Sequence, residues 1–417
     1  MTRARITFRA IAALVAAVLV LGACTSGGAK KKAKAETIKL RVGLLFTTSG
    51  EGGDLAQAVL GATKLAADDA AKDKVAIEFV QADYAGDPKL VASSIASLKG
   101  KTDAIIVGTP DPVVLPGLAG ISDVPIIHTL VGRDDATEKD NVFSLAPSDA
   151  LVAEKLADYL VKVRKYRRIV LLTDTTEFGK TGKDVLESAL RDLGVDPKLS
   201  LTFEPGADIH TPVAHAGQVG ADALLMWVFS PSEASRIIVE TQKMSFAYQL
   251  ALSANLATST FAKNASSQVT PVAFRDGMLS VGPWAGPWFN LSRIIDFYAR
   301  FQAENSAQAP TQAAAFYDAV AVLTKAARAA GGTAGSDLTV ALERITDFEG
   351  AGVPVTFASD DHQGIDIDDL GIYGFTKDQD SAGGDYFPDV DTGGGFFTIV
   401  TESLSLPLRY RFLTTKV

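Results

Sequence analysis

From Ile38 onward, short apolar runs alternate with helical patterns, and near residue 140 the alternation stops and starts again. Ile38–Phe46 (IKLRVGLLF) reads as a strand, Leu55–Ala71 as an alanine-rich helix, and Val75–Gln81 as a strand. Pro88–Leu98 reads as a helix, Ala104–Val107 as a buried strand, and a helix from about Pro112 leads to the strand Val124–His128. Strands separated by helices cannot pair as hairpins, so they join a parallel sheet with helices on both faces. The rhythm breaks over Asp140–Pro147 and resumes with a helix from Ala150 to Val163, capped by Ser148 and Asp149. Arg168–Thr173, Leu199–Phe203, Ala221–Val228 and Tyr248–Leu252 then read as strands, with helices over Gly182–Leu193 and Ser232–Lys243. The expected fold class is α/β: two Rossmann-like units with parallel sheets, in series, with no close sequence repeat between them.

After Asp276–Pro283 (DGMLSVGP) the pattern changes. Leu291–Glu304, Thr311–Ala330 and Leu338–Ile345 read as helices with no strand between them, and the end from Val353 is strand-like and rich in Gly and Asp. Helices without intervening strands cannot extend a parallel sheet. They are expected to pack back on an existing unit, so that the chain returns to its first domain and then to its second.

The first 36 residues carry a different message. Arg3, Arg5 and Arg9 precede an apolar stretch from Ile11 to Leu21, which is about the length of an export signal and shorter than a membrane span. Leu21-Gly22-Ala23-Cys24 resembles a lipobox, so residues 1–24 are expected to be a lipoprotein signal peptide and Cys24 the lipidated residue. The plainer alternative is a signal peptide that happens to contain a cysteine. Residues 25–36, with Lys30, Lys31, Lys32 and Lys34, read as a flexible tether. These 36 residues hold seven basic side chains and one acidic, so the net charge of −9 becomes −15 for the rest. A body that acidic is a poor nucleic-acid binder. A single cysteine in 417 residues leaves no internal disulfide and no cysteine-based zinc cluster.

Several stretches, in order, resemble the type I periplasmic binding proteins, in the leucine/branched-chain amino-acid branch that serves ABC importers. Val42–Gly50 looks like the family's first strand and ligand loop, and Ala82-Asp83-Tyr84-Ala85-Gly86-Asp87-Pro88 like its turn before the second helix. Ile105–Gly108 and Val124–Ile127 match the next strands, and Asn141–Asp149 the passage into the second lobe. Phe316–Val320 looks like the family's Y-D-A-V helix and Phe348-Glu349-Gly350 its F-x-G turn. The resemblance implies two lobes joined by three crossings, near 143–150, 276–284 and 346–352. Lobe 1 would comprise 37–145 plus 284–346, and lobe 2 146–283 plus 347–417. It also implies a monomer, extracytoplasmic and lipid-anchored to the cell membrane, that hands a small molecule to a permease and its ATPase. No catalysis, cofactor or metal is expected.

In open α/β sheets ligands bind beyond the carboxyl ends of the strands. The loops there, and the same resemblance, point to Ser49, Thr109, His128 and Thr129 from the first lobe and Phe178, Trp227, Phe229 and Asn255 from the second. Each has a plainer reading: turn or cap chemistry for the hydroxyl residues, core packing for His128 and the aromatics. Trp284, near a crossing, is a further candidate.

Two departures from the family pattern bear on the ligand. Gly108-Thr109-Pro110-Asp111-Pro112 puts a carboxylate where the family holds a ligand carboxylate. Asp111 is therefore either a helix cap or a contact to a neutral or cationic ligand such as an amide or amine. Ser253-Ala254-Asn255 lacks the acidic residue usually offered to an ammonium.

Asp174–Thr181 ends in Gly-Lys-Thr and resembles a P-loop, but Asp174 stands where the first glycine belongs, facing any phosphate. His128, His210, His215 and His362 show no metal spacing. Asp360, Asp361, His362, Asp366, Asp368 and Asp369 lack calcium-loop spacing and read as a solvated surface. No nucleophile elbow is present. Capture of a small polar solute for an ABC importer is the first expectation; a sensory lipoprotein of the same fold and an envelope hydrolase are the alternatives.

Overall fold

The computed structural model describes residues 36–49, 53–130, 132, 139–246, 248–256, 261, 278–283, 291–305, 312–376 and 396–399. The signal peptide, Cys24, the tether and Trp284 lie outside them.

Five strands make the first sheet: β1 (Ile38–Phe46), β2 (Val75–Asp83), β3 (Ala104–Val107), β4 (Ile126–His128) and β5 (Val142–Ser144). All pair in parallel, in the order β2-β1-β3-β4-β5. The sequence explains the placement. β3 and β4 are apolar almost throughout and buried on both faces, as central strands require, whereas β2 alternates polar residues and sits at the edge. Its crossovers include α1 (Ala56–Lys72), α2 (Pro88–Leu98) and α3 (Leu115–Leu118). Asp87 caps α2 by accepting from the Lys89 amide, with Pro88 in the first turn.

The second sheet contains β6 (Ile169–Asp174), β7 (Leu199–Phe203), β8 (Ala223–Trp227), β9 (Gln249–Leu252), β10 (Met278–Gly282), β11 (Gly371–Thr376) and β12 (Phe396–Ile399). Its order is β12-β11-β10-β9-β8-β6-β7, parallel except for β11 and β12, which join antiparallel at one end. Its helices are α4 (Asp149–Asp158), α5 (Glu177–Asp192), α6 (His210–Gln218) and α7 (Pro231–Lys243). Then come α8 (Leu291–Glu304), α9 (Ala313–Ala330) and α10 (Gly335–Leu342). These three do not cover the second sheet. Phe297, Phe301, Phe316, Val320, Leu323, Leu338 and Leu342 share one core with Leu40, Val42 and Leu44 of β1.

Three elements differ from the sequence expectation. Val142–Ser144, inside the stretch read as a break, forms a fifth strand, paired through Ile126–Val142 to His128–Ser144. From Pro112 the chain makes a 3-10 turn, Pro112–Val114, and then only the four-residue α3. Pro116 lacks the N–H that would bond back to the Pro112 carbonyl, so one continuous helix cannot form there. α5 begins at Glu177 rather than Gly182, since Thr176 accepts a hydrogen bond from the Gly179 amide (3.1 Å) and so caps the earlier start.

Candidate functional site

Omitting the two antiparallel strands, the sheets are wound identically: β2-β1-β3-β4-β5 and β7-β6-β8-β9-β10. In each, the order reverses beside the first strand, between β1 and β3 and between β6 and β8. Crossovers leave such a point on opposite faces and open a crevice beyond the strand ends. The predicted residues sit at these strand ends and on the loops that follow them.

In the first sheet they form a hydrogen-bonded strip. The Ser49 hydroxyl donates to the Ala85 carbonyl (2.7 Å). Next to Ala85, the hydroxyl of buried Tyr84 bonds that of Thr109 (2.8 Å), and Thr109 Oγ accepts from the Asp111 amide (3.2 Å). Asp111 in turn accepts from the Val113 amide (3.0 Å), capping the 3-10 turn. Burial pushes the Asp111 carboxyl above its ordinary value, against the pull of that amide. Thr129 donates to the Val107 carbonyl (2.7 Å), tying β4 to β3. Burial pushes His128 down to about 4, so its imidazole is neutral at pH 7, and its Nδ1 has no hydrogen-bond partner among the described residues.

In the second sheet the residues gather around aromatic rings. Phe178 stacks on Trp227 with centroids 5.7 Å apart and lies 5.8 Å from Phe229 in a tilted arrangement. Trp227 is buried beneath α5, and its indole N–H has no partner among the described residues. This approach requires glycine at 182, where a Cβ would stand 2.0 Å from the indole. Asn255 donates to the carbonyls of Val228 (3.2 Å) and Phe229 (2.9 Å) and accepts from the Ser253 hydroxyl (2.6 Å). Its amide thus shapes the β8 and β9 loops and brings no charge.

Sequence reasoning passed over the residue that joins the two switch-point loops here. Buried Asp174 accepts from the Thr176 amide (3.1 Å) and hydroxyl with one oxygen, and from the Phe229 amide (2.7 Å) with the other. The near-P-loop spacing was its signal, read only as a defect. The position a phosphate would need is occupied by this carboxylate. Tyr84 was likewise visible only as part of a turn motif.

Among the described residues no group of three or more His, Cys, Asp or Glu is placed to hold a metal ion, and no helix is long and apolar enough to cross a membrane. A groove of about 480 Å³ lies apart from the strand ends, between α1 and α9.

A family model described as periplasmic binding protein matches residues 39–368. The chain belongs to the periplasmic binding protein family. Its fold is that of the type I periplasmic binding proteins. A curated relative, the Leu/Ile/Val-binding protein homolog 3 of Brucella melitensis, is 28% identical over 162 residues, 36% of this chain. The chain spans only 42% of that relative's length in the match. Solved structures share the fold. One is the branched-chain amino acid transporter substrate binding protein LivJ from Streptococcus pneumoniae in complex with isoleucine (TM-score 0.68, 18% identity, 87% of this chain and 99% of that one). Another is a solute binding protein of an ABC transporter from R. palustris in complex with benzoate (TM-score 0.68, 19% identity, 82% and 94%).

Proposed function

We propose that this periplasmic binding protein is an extracytoplasmic, lipid-anchored monomer that captures a small polar solute between two lobes and delivers it to the permease and ATPase of an ABC importer. The observation that carries the reading is the twin winding of the sheets, each with candidate side chains at the carboxyl ends of its strands. The lobes of the proposal are 37–145 with 284–346 and 146–283 with 347–417, and Cys24 is the anchor. A solute touching both lobes favours the closed form by the contacts it makes only there. That use of binding energy needs no catalysis.

The side chains narrow the solute class. Polar groups come from Ser49, Thr109, His128 and Thr129, and a ring surface from Phe178 and Phe229 over Trp227. Ser49, Thr129 and Asn255 are already engaged with backbone carbonyls, so they serve chiefly to set loop shape. Asp111 opposes a second carboxylate nearby, and Asn255 supplies no charge for an ammonium. The proposed solute is therefore a neutral or cationic amide or amine rather than a free α-amino acid.

Mass spectrometry of the small molecule released on denaturing the purified chain tests this. One unaltered amide or amine per chain is expected. Tight retention of free leucine with no retention of amides would overturn the solute class, and turnover of the molecule would overturn the binding role.

A further inference from the structure

Asp83 ends β2 opposite Phe46, the last residue of β1. Its carboxylate gathers the two segments that follow those strands. One oxygen accepts from the backbone amides of Thr48 (3.1 Å) and Ala85 (2.7 Å), and the other from the Thr48 hydroxyl (2.5 Å). The same segments meet again where the Ser49 hydroxyl donates to the Ala85 carbonyl (2.7 Å). Both backbone groups of Ala85 are therefore taken, its N–H by Asp83 and its C=O by Ser49.

Ala85 needs that hold. It lies at φ 53°, and Gly86 follows at φ 66°. Glycine enters this left-handed region without steric cost, whereas the Cβ of an alanine crowds the backbone there, so an alanine stays only where its surroundings fix it. The turn matters because of the residue before it. Tyr84 is buried, and its hydroxyl bonds Thr109 Oγ, which also accepts from the Asp111 amide. Hydrogen bonds and one peptide link thus connect Thr48, Asp83 and the Tyr84–Gly86 turn to the loop after β3.

We propose that Asp83 is a positioning residue for solute capture: its carboxylate holds the Thr47–Ser49 segment against the left-handed turn at Ala85, and through Tyr84 that turn sets where Thr109 stands. The proposal rests on the solute-capture reading above and assigns what aligns its first-sheet half. Three donors converge on a side chain that, ionised, has only acceptors. Burial raises the Asp83 carboxyl, but the Thr48 hydroxyl and the Ala85 and Thr48 amides outweigh it and hold it below its ordinary value. What the turn requires is acceptor geometry rather than charge. In Asp83→Asn the side-chain oxygen still accepts from both amides while its NH2 donates to the Thr48 hydroxyl oxygen; in Asp83→Ala all three bonds are lost.

Hydrogen exchange of the full chain, resolved to single amides, tests how far Asp83 reaches. In Asp83→Ala, protection is expected to fall about tenfold at Ala85 and also at Asp111, on the loop after β3, while β8 keeps its protection. Asp83→Asn should hold both amides within about threefold of the native chain. Tyr84→Phe should lower protection at Asp111 and leave it unchanged at Ala85. Native protection at Asp111 in Asp83→Ala or in Tyr84→Phe, or equal losses in Asp83→Ala and Asp83→Asn, overturns the proposal.

Retention reads the functional side. The probe is the molecule released on denaturing the native chain, identified by its mass and counted per chain after the same dialysis of each variant. Asp83→Ala should retain at least about threefold less than the native chain, and Asp83→Asn the native amount. Native retention by Asp83→Ala, with Thr109→Val retaining less, refutes the positioning role alone. Native retention by Thr109→Val as well refutes the placing of the solute on the first sheet. A native chain that releases no molecule counts against solute capture itself, and the exchange result then decides whether Asp83 sets Thr109.

Discussion

At the amino end of the first sheet, Arg41 on β1 reaches Asp103 ahead of β3 at 2.7 Å. At the amino end of the second, Arg168 ahead of β6 reaches Asp222 ahead of β8, also at 2.7 Å. Both carboxylates also accept from backbone amides of the first strand's arm: Arg41 in one, Arg167 and Arg168 in the other. The clasps join the same pair of strands in each sheet. The opposite ends differ: hydroxyls and a capping aspartate in the first, stacked rings tied by a buried aspartate in the second. The comparison separates two jobs. The amino ends hold the winding together in the same way, whereas the carboxyl ends carry different chemistry.

The largest expected effect tests the rigid aromatic side. In Gly182→Ala the new Cβ meets the Trp227 ring at 2.0 Å, with little room to yield inside a packed core, and should cost about 3 kcal/mol. A change on β1 of the first sheet, Gly43→Ala, meets the side chains of Leu98, Thr102 and Ile105 at 3.2–3.3 Å and should cost about 1 kcal/mol or less. Urea midpoints at constant slope measure both; equal costs would mean that the two sides are equally tolerant.

Removing the ties comes next. Asp174→Asn weakens the charge-assisted bonds to Thr176 and Phe229 and should cost about 2 kcal/mol. Tyr84→Phe removes one hydroxyl pair with Thr109 and should cost about 1 kcal/mol. Near-ultraviolet circular dichroism should change in the first variant through Trp227 and its ring neighbours. An unchanged aromatic signal would show that Asp174 does not set their positions.

A pH series addresses the clasps. Burial raises the Asp222 carboxyl, but the Arg168 side chain and the Arg167 and Arg168 amides outweigh it and hold the group at about 2. Asp69, between α1, α8 and α9, is likewise raised by burial and brought to about 2 by Lys72, Tyr317 and Arg300. A carboxyl depressed on folding contributes stability that is complete above its unfolded value of 3.8 and lost as pH falls through 2. With solvent screening allowed for, each contributes about 1–2 kcal/mol at pH 7. Asp222→Asn and Asp69→Asn should lower urea stability by that amount at pH 7 and flatten the acid limb between pH 4 and 2. The smallest effect is expected for Arg168→Ala and Arg41→Ala, because both side chains are about half exposed and the amides still hold the carboxylates.

The winding was readable because period and punctuation agree: apolar runs of strand length alternate with helical stretches bounded by caps such as Asp87-Pro88. β5 was not, since Val142–Ser144 is three residues long and gains its pairing only from β4 on one side and the 362–364 backbone near Ser144 on the other. The early turn of α5 was obscured by Gly179 and Gly182, whose low helix propensity is overridden by the space that Asp174 and Trp227 need. Within the site, residue types and loops could be read from spacing, but their commitments could not. Nothing local says that the Asn255 amide is spent on the carbonyls of Val228 and Phe229, or that Tyr84 meets Thr109 across 25 residues. Those depend on tertiary approach.

Small-angle X-ray scattering tests the central claim most directly, comparing the chain stripped of its co-purified solute with the same chain after one equivalent is restored. The account predicts that the radius of gyration contracts on restoration and that the solute is recovered chemically unchanged. An identical radius in the two states, or a solute returned as a product, would contradict it.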